Sequence, residues 1–250
     1  MKKSLILSLV FVNELAFSGE DTEEWNYQDK GPAYWEDHFD LCGNGKEQSP
    51  ININYENIYE LEAGEFFGQG KELEFYPPPA LVNVVNNHHS IQLNFINNYS
   101  IEYMKKQYKL QQLHFHHLSE TTINGEHYPL EAHFVLANAS DSKLVVAVLL
   151  EGEGVINKLL PYFKLTDDKP YNEPVRSFFE ASSILPFDRD YVTFKGSLTT
   201  PPCSEGVQWF VYKYPAVVST EEIEYFANHE YSANFRYVMP LNARKVFDFK

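Results

Sequence analysis

The stretch Gln112-Leu113-His114-Phe115-His116 limits the fold more than any other part of the chain. Its side chains alternate polar and apolar, and a period of two belongs to a β-strand. Gln112, His114 and His116 then share one face, while Leu113 and Phe115 point the opposite way into a core. The pattern returns in Glu131-Ala132-His133-Phe134-Val135, after a turn signal at Asn124-Gly125. Glu131, His133 and Val135 share a face there. If the two strands pair in a suitable register, His133 reaches the same point as His114 and His116.

Two imidazoles one residue apart on a strand can bind one metal ion. Three neutral histidines without cysteine are typical of a catalytic zinc site that keeps a fourth position open for water. A metal-bound histidine donates its second N–H to a carboxylate or carbonyl, which fixes tautomer and orientation. Gln112 and Glu131 are placed for that work. The cluster alone does not choose the chemistry. His114-x-His116, Glu120 and His133 also loosely fit a cupin jelly roll, which would bind iron or manganese. Cupins usually carry glycine six residues before the first histidine, and Tyr108 stands there.

The surrounding sequence reads as a sheet protein. Ser90 to Phe95, Leu110 to Phe115 and Ala132 to Ala137 alternate as strands do, and Leu144 to Leu150 is apolar throughout, as in a strand buried on both faces. Turn signals separate them at Asn44-Gly45, Pro77-Pro78-Pro79, Asn97-Asn98 and Asn124-Gly125. Ile156, Leu159, Leu160 and Phe163 have helical spacing, although Pro161 interrupts them. Ser219 with Glu222 forms a capping box ahead of Ile223 and Phe226. Aromatic residues make up 16% of the chain and favour strands. The expectation is a mainly β (α+β) domain, with a large twisted, mostly antiparallel central sheet and short peripheral helices.

Lys2 and Lys3, the apolar run Leu5 to Val12 and the small residues of Ala16-Phe17-Ser18 read as an export signal over residues 1–18, leaving one domain over 19–250. The apolar run is too short to span a membrane. The protein is therefore expected in the periplasm or outside the cell. Its two cysteines, an even number in an exported chain, suggest one disulfide. The net charge of −15 shows no basic footprint for nucleic acid and disfavours an anionic membrane surface.

From about Trp25 to Arg244 the chain resembles the α-carbonic anhydrases. Trp25-Asn26-Tyr27, Gly31-Pro32 and Trp35 look like the family's N-terminal segment, and Gln48-Ser49-Pro50-Ile51-Asn52-Ile53 like its next block. Gln112-x-His114-x-His116, Ser119-Glu120 and Glu131-x-His133 match the zinc region. Gly196-Ser197-Leu198-Thr199-Thr200-Pro201-Pro202-Cys203-Ser204-Glu205-Gly206 is the most specific block, followed by Pro240-Leu241-Asn242 and Arg244.

The resemblance implies the α-carbonic anhydrase fold, a Cys42–Cys203 bridge, and zinc-dependent reversible hydration of CO₂ to bicarbonate and a proton by zinc-bound hydroxide. His114, His116 and His133 would hold Zn²⁺. Thr199 would orient the nucleophile and donate its own proton to Glu120, which as a carboxylate can only accept. Val135, Val148, Leu198, Thr200, Val207 and Trp209 would join Thr199 in receiving the substrate. His89 would carry the proton to solvent, since an ordinary histidine pKa of about 6.5 suits that task, with Tyr27, Asn87 and Gln92 ordering the connecting water. His88 departs from the family's usual glycine, and His117-Leu118 from a commoner Trp-Gly. The partners implied are CO₂ and bicarbonate, with room for a homodimer. The rival reading is a non-catalytic carbonic-anhydrase-like binding module, which the intact ligand set opposes.

Overall fold

Side-chain alternation along the strands divides the interior into two apolar layers with the sheet between them. The computed structural model describes residues 24–60, 73–96, 99–228 and 233–249. The export signal expected over 1–18 and the Asn97-Asn98 turn signal lie outside the described residues.

Among the described residues, twelve strands form one sheet. From one edge the path runs Val175–Phe179, Ala80–Asn86, Ile91–Phe95, Lys106–His116 and Leu130–Ala137. It continues through Lys143–Gly154, Glu205–Tyr212, Tyr191–Ser197, Phe247–Phe249 and Tyr59–Glu60. Ser100–Tyr103 pairs with Lys106–His116, and Ala216–Ser219 pairs with Lys143–Gly154. Within this sheet, parallel pairing is confined to Lys143–Gly154 with Glu205–Tyr212 and Ala216–Ser219, and to Phe247–Phe249 with Tyr59–Glu60. The expected mainly β, mostly antiparallel sheet with short peripheral helices is borne out. The longest described helix, Thr220–Asn228, has nine residues. No helix among the described residues is long and apolar enough to cross a membrane.

Leu113 and Phe115 are fully buried with Phe134, Leu136, Val146 and Val148 on one side of the sheet. Val135, Val145, Ala147, Phe194, Val207 and Trp209 pack on the other. Leu144 to Leu150 is buried on both faces, as its continuous apolar run predicts. Asn124 and Gly125 form the two-residue turn between Thr122–Ile123 and Glu126–His127, both with positive φ (51° and 88°), as a type I′ hairpin requires.

The helix expected around Ile156 begins later, at Leu160–Phe163. Pro161 sits in its first turn, where a missing N–H costs nothing. The Glu222 carboxylate fixes that start by accepting from the N–H groups of Leu159 and Leu160. The same carboxylate accepts from Ser219 N (2.8 Å), while Ser219 Oγ accepts from Glu222 N (3.1 Å), so the capping box forms as read. Cys42 and Cys203 are bonded, joining the helix Asp40–Asn44 to the loop after Thr199. At Gly196 a Cβ would lie 2.1 Å from Ser49 Oγ, so the strand leading to Thr199 passes too close for any larger residue.

Candidate active site

His114 faces His133 directly across two antiparallel strands, and His116 faces Glu131. This register brings one ring nitrogen of each of His114, His116 and His133 within 4.8 Å of the other two. The opposite ring nitrogen of each histidine faces an oxygen acceptor. His114 Nδ1 donates to Gln112 Oε1 (2.8 Å), and His116 Nδ1 donates to the backbone carbonyl of Asn234 (2.7 Å). His133 Nε2 lies 3.0 Å from Glu131 Oε1. The nitrogens left to converge are His114 Nε2, His116 Nε2 and His133 Nδ1. His116 is 1% exposed, yet its Nε2 has no hydrogen-bond partner among the described residues. An orphaned buried nitrogen is costly. A metal ion in the centre of the trio would satisfy it, and the all-imidazole donor set suits zinc.

Burial, reinforced by the neighbouring His116 and His133, holds His114 well below the usual histidine pKa. Burial also lowers His116. Neutral rings are the form a metal requires.

Two fully buried carboxylates beside the trio differ in support. Glu131 accepts from Thr121 N (2.7 Å) and Thr121 Oγ1 (2.9 Å) and faces His133. Burial raises its pKa, but His133 and the Thr121 N–H outweigh burial and hold it below the usual range. Glu120 accepts from Arg236 N at 2.9 Å, and the nearby Thr199 hydroxyl lowers its pKa. Its Oε2 lies 3.5 Å from His116 Nε2 and 3.9 Å from His133 Nδ1. With fewer donors, burial wins and pushes Glu120 up to about 7.

A cavity of about 940 Å³ reaches His114, His133 and Thr199. Val135, Val145, Leu198 and Trp209 line one part of it, beside Thr199 and Thr200. Trp209 Nε1 donates to Ser197 O (3.0 Å), which fixes the indole in that wall. The expectation for Val148 is corrected: it stands opposite Ala132 and belongs to the Leu113–Phe134 core on the other side of the sheet. Val145, directly across from Val135, takes the place assigned to it. Val207 is buried in the same apolar cluster as Val135 without lining the cavity.

The opposite wall is rich in carboxamides. Asn87 Nδ2 donates to Gln92 Oε1 (3.2 Å), and Gln92 Nε2 donates to Asn94 Oδ1 (2.7 Å). A bulge between Leu110 and Gln112 turns both Gln111 and Gln112 into the cavity. His89 stands apart from this wall. Its ring stacks on Trp25 with centroids 3.8 Å apart, and its buried Nδ1 has no partner among the described residues. Burial, with a smaller contribution from His88, lowers its pKa to about 4, unlike the ordinary value expected from sequence. Tyr27 also lies off the main cavity, edge-on to Trp25, Trp35 and His89. Burial, then Glu120, holds its pKa well above that of an ordinary phenol. His88 occupies a left-handed position (φ 70°), which explains why glycine suits it, and stacks on Tyr171. His117 Nδ1 donates to Pro129 O (2.8 Å).

Sequence reasoning missed Asn234 and Arg236. Beyond orienting His116, Asn234 donates to His89 O and Phe115 O and accepts from His117 N. The Arg236 guanidinium, 1% exposed, donates to Gln48 Oε1, Ser49 O and Cys42 O. Both lie in coil, where no periodicity marks a residue.

The model of the eukaryotic-type carbonic anhydrase family matches residues 30–250. The carbonic anhydrase of Pectobacterium atrosepticum is 34% identical over 252 residues, covering 98% of this chain and 99% of the relative. That of Neisseria gonorrhoeae is 36% identical over 233 residues, covering 90% and 87%. The solved α-carbonic anhydrase of Photobacterium profundum superposes with a TM-score of 0.77 at 35% identity, covering 90% of this chain and all of that one.

Proposed function

Because the chain belongs to the eukaryotic-type carbonic anhydrase family and is a carbonic anhydrase, we propose that it hydrates CO₂ with one Zn²⁺ held by His114, His116 and His133. The observation that carries this reading is the convergence of three ring nitrogens whose opposite nitrogens each face an oxygen acceptor. When bound, Zn²⁺ brings the pKa of a coordinated water to about 7, a magnitude characteristic of carbonic anhydrases as a class.

The chain's own groups do the rest. Gln112, Asn234 and Glu131 fix the tautomers, so the rings need no reorientation. Thr199 donates to Glu120, which leaves the threonine oxygen free only to accept. It can therefore select a nucleophile that still carries one proton and aim a lone pair of that nucleophile at the substrate carbon. This polarity needs Glu120 ionised, and a cation beside it lowers its pKa from the value burial imposes. Val135, Val145, Leu198 and Trp209 offer a dry surface to CO₂, a molecule with no net charge.

Proton release is assigned to water ordered by Tyr27, Asn87 and Gln92, with His89 as the carrier to solvent. The stacking on Trp25 opposes that role in the conformation described. If His89 is the carrier, His89→Ala slows turnover most when external buffer is scarce. Rates unchanged across buffer concentrations would remove it from the pathway.

The leader-like residues 1–18 and the Cys42–Cys203 bond support export to the periplasm or medium as a single domain over 19–250. The central experiment is CO₂ hydration by the purified chain with zinc and after chelation. The zinc-loaded chain should accelerate hydration and the chelated chain should not. A loaded chain no faster than buffer alone would defeat the reading.

A further inference from the structure

The cavity wall carries one cation and, among the described residues that line it, no carboxylate. The cation is Lys143, in a chain whose net charge is −15. Its place follows from the register. Ala147 stands across from His133, Val145 across from Val135, and Lys143 across from Ala137. Every second residue shares a face, so Lys143 continues the apolar Val145 wall outward from the metal centre. Four residues of strand put it about 13 Å from the level of His133.

The Lys143 side chain is only 14% exposed. Its methylene stem lies along the wall, as long cationic side chains do on apolar surfaces. Its ammonium pairs with Asp141, whose side chain is 63% exposed. The cavity lining thus includes a largely buried cationic side chain whose counter-charge faces solvent.

CO₂ has no net charge and is indifferent to this arrangement. Bicarbonate is an anion, and the overall negative field of the chain repels it. We propose that Lys143 is an anion-selecting residue, which draws bicarbonate along the Val145 wall between the metal centre and solvent, with Asp141 setting the strength of the attraction. The inference rests on the reaction assigned above and names the part of the cavity that handles its charged partner. During hydration Lys143 lowers the barrier for the anion to leave. During dehydration it raises the local concentration of bicarbonate.

The test uses the full chain loaded with cobalt, whose visible absorption reports an anion reaching the metal. The probe is thiocyanate, a monovalent anion that the protein does not turn over. At about 20 mM ionic strength, Lys143→Gln should raise the thiocyanate dissociation constant about two- to fivefold, and Asp141→Asn should lower it by a similar factor. Lys143→Arg, which keeps the charge, should stay within about 1.5-fold of the unsubstituted protein, and all differences should contract at about 0.5 M ionic strength. Unchanged constants in both Lys143→Gln and Asp141→Asn, or shifts in the same direction, would overturn the proposal. The readout is equilibrium binding, so failure of the assigned reaction would show separately, as absent CO₂ hydration by the unsubstituted zinc protein.

Discussion

Thr199 and His89 show how far the surroundings of one side chain decide what it can do. The Thr199 hydroxyl lies beside Glu120, and the proposed reaction needs its proton directed there. Thr199→Val keeps the shape and removes that polarity, so kcat/KM should fall about 10²-fold, the scale of losing one pre-aligned polar contact in a transition state. Zinc content should not change, and a parallel loss of metal would mean that Thr199 serves the site's structure instead. His89 is governed by burial under Trp25. Its folded pKa of about 4 lies below the unfolded value of about 6.5. The unfolded chain therefore binds more protons between these values. The stability that neutral His89 contributes is complete above about pH 6.5 and is lost as pH falls toward 4. Trp25→Ala should move the His89 titration, followed by NMR, upward toward 6.5 and flatten that acid loss. A His89 that titrates at 6.5 in the unsubstituted protein would contradict the stacked geometry.

At the scale of the strand, register turns a sequence pattern into a site. The pairing of His114 with His133 was legible because both strands alternate and because a one-residue slip would turn every histidine into the core. The choice of Val148 failed for the complementary reason. Leu144 to Leu150 is apolar at every position, so the sequence carries no period to tell one face from the other. The register with Leu130–Ala137 supplies that information and selects Val145. The two valines should accordingly answer differently. Val145→Tyr fills the cavity wall and should cut kcat/KM for CO₂ while leaving the thermal midpoint near its original value. Val148→Ala empties a core position and should cost about 1–3 kcal/mol of stability with kcat/KM retained. Equal kinetic losses in both would undo this division of the strand. The bulge at Gln111 and the late start of the helix at Leu160 were illegible for a further reason: distant partners across the sheet or on Glu222 set them.

At the scale of the molecule, the site is closed by segments far apart in the chain. The Cys42–Cys203 bond spans 161 residues and ties the N-terminal aromatic cluster to the loop that follows Thr199. Replacing both cysteines with serine should lower stability by about 2–5 kcal/mol, read as a fall in the unfolding midpoint under non-reducing conditions. An unchanged midpoint would mean that Gln48, which donates to Cys203 O, and its neighbours already hold the two segments together. The even number of cysteines made one bridge legible, and the ordered sequence blocks made the fold legible. Asn234 and Arg236 were not, because the groups they offer the catalytic centre are a backbone carbonyl and a backbone N–H, which every residue but proline possesses.

Those two backbone groups also bear on biosynthesis. Asn234 and Arg236 follow His133 by 101 and 103 residues, so the ribosome makes them after all three clustered histidines have left the tunnel. Until they dock, His116 lacks its orienting carbonyl and Glu120 lacks its backbone donor. A nascent chain that has not yet reached Asn234 carries all three histidines without the groups that set them. The three histidines are therefore set only after a segment about a hundred residues further along the chain has docked on them.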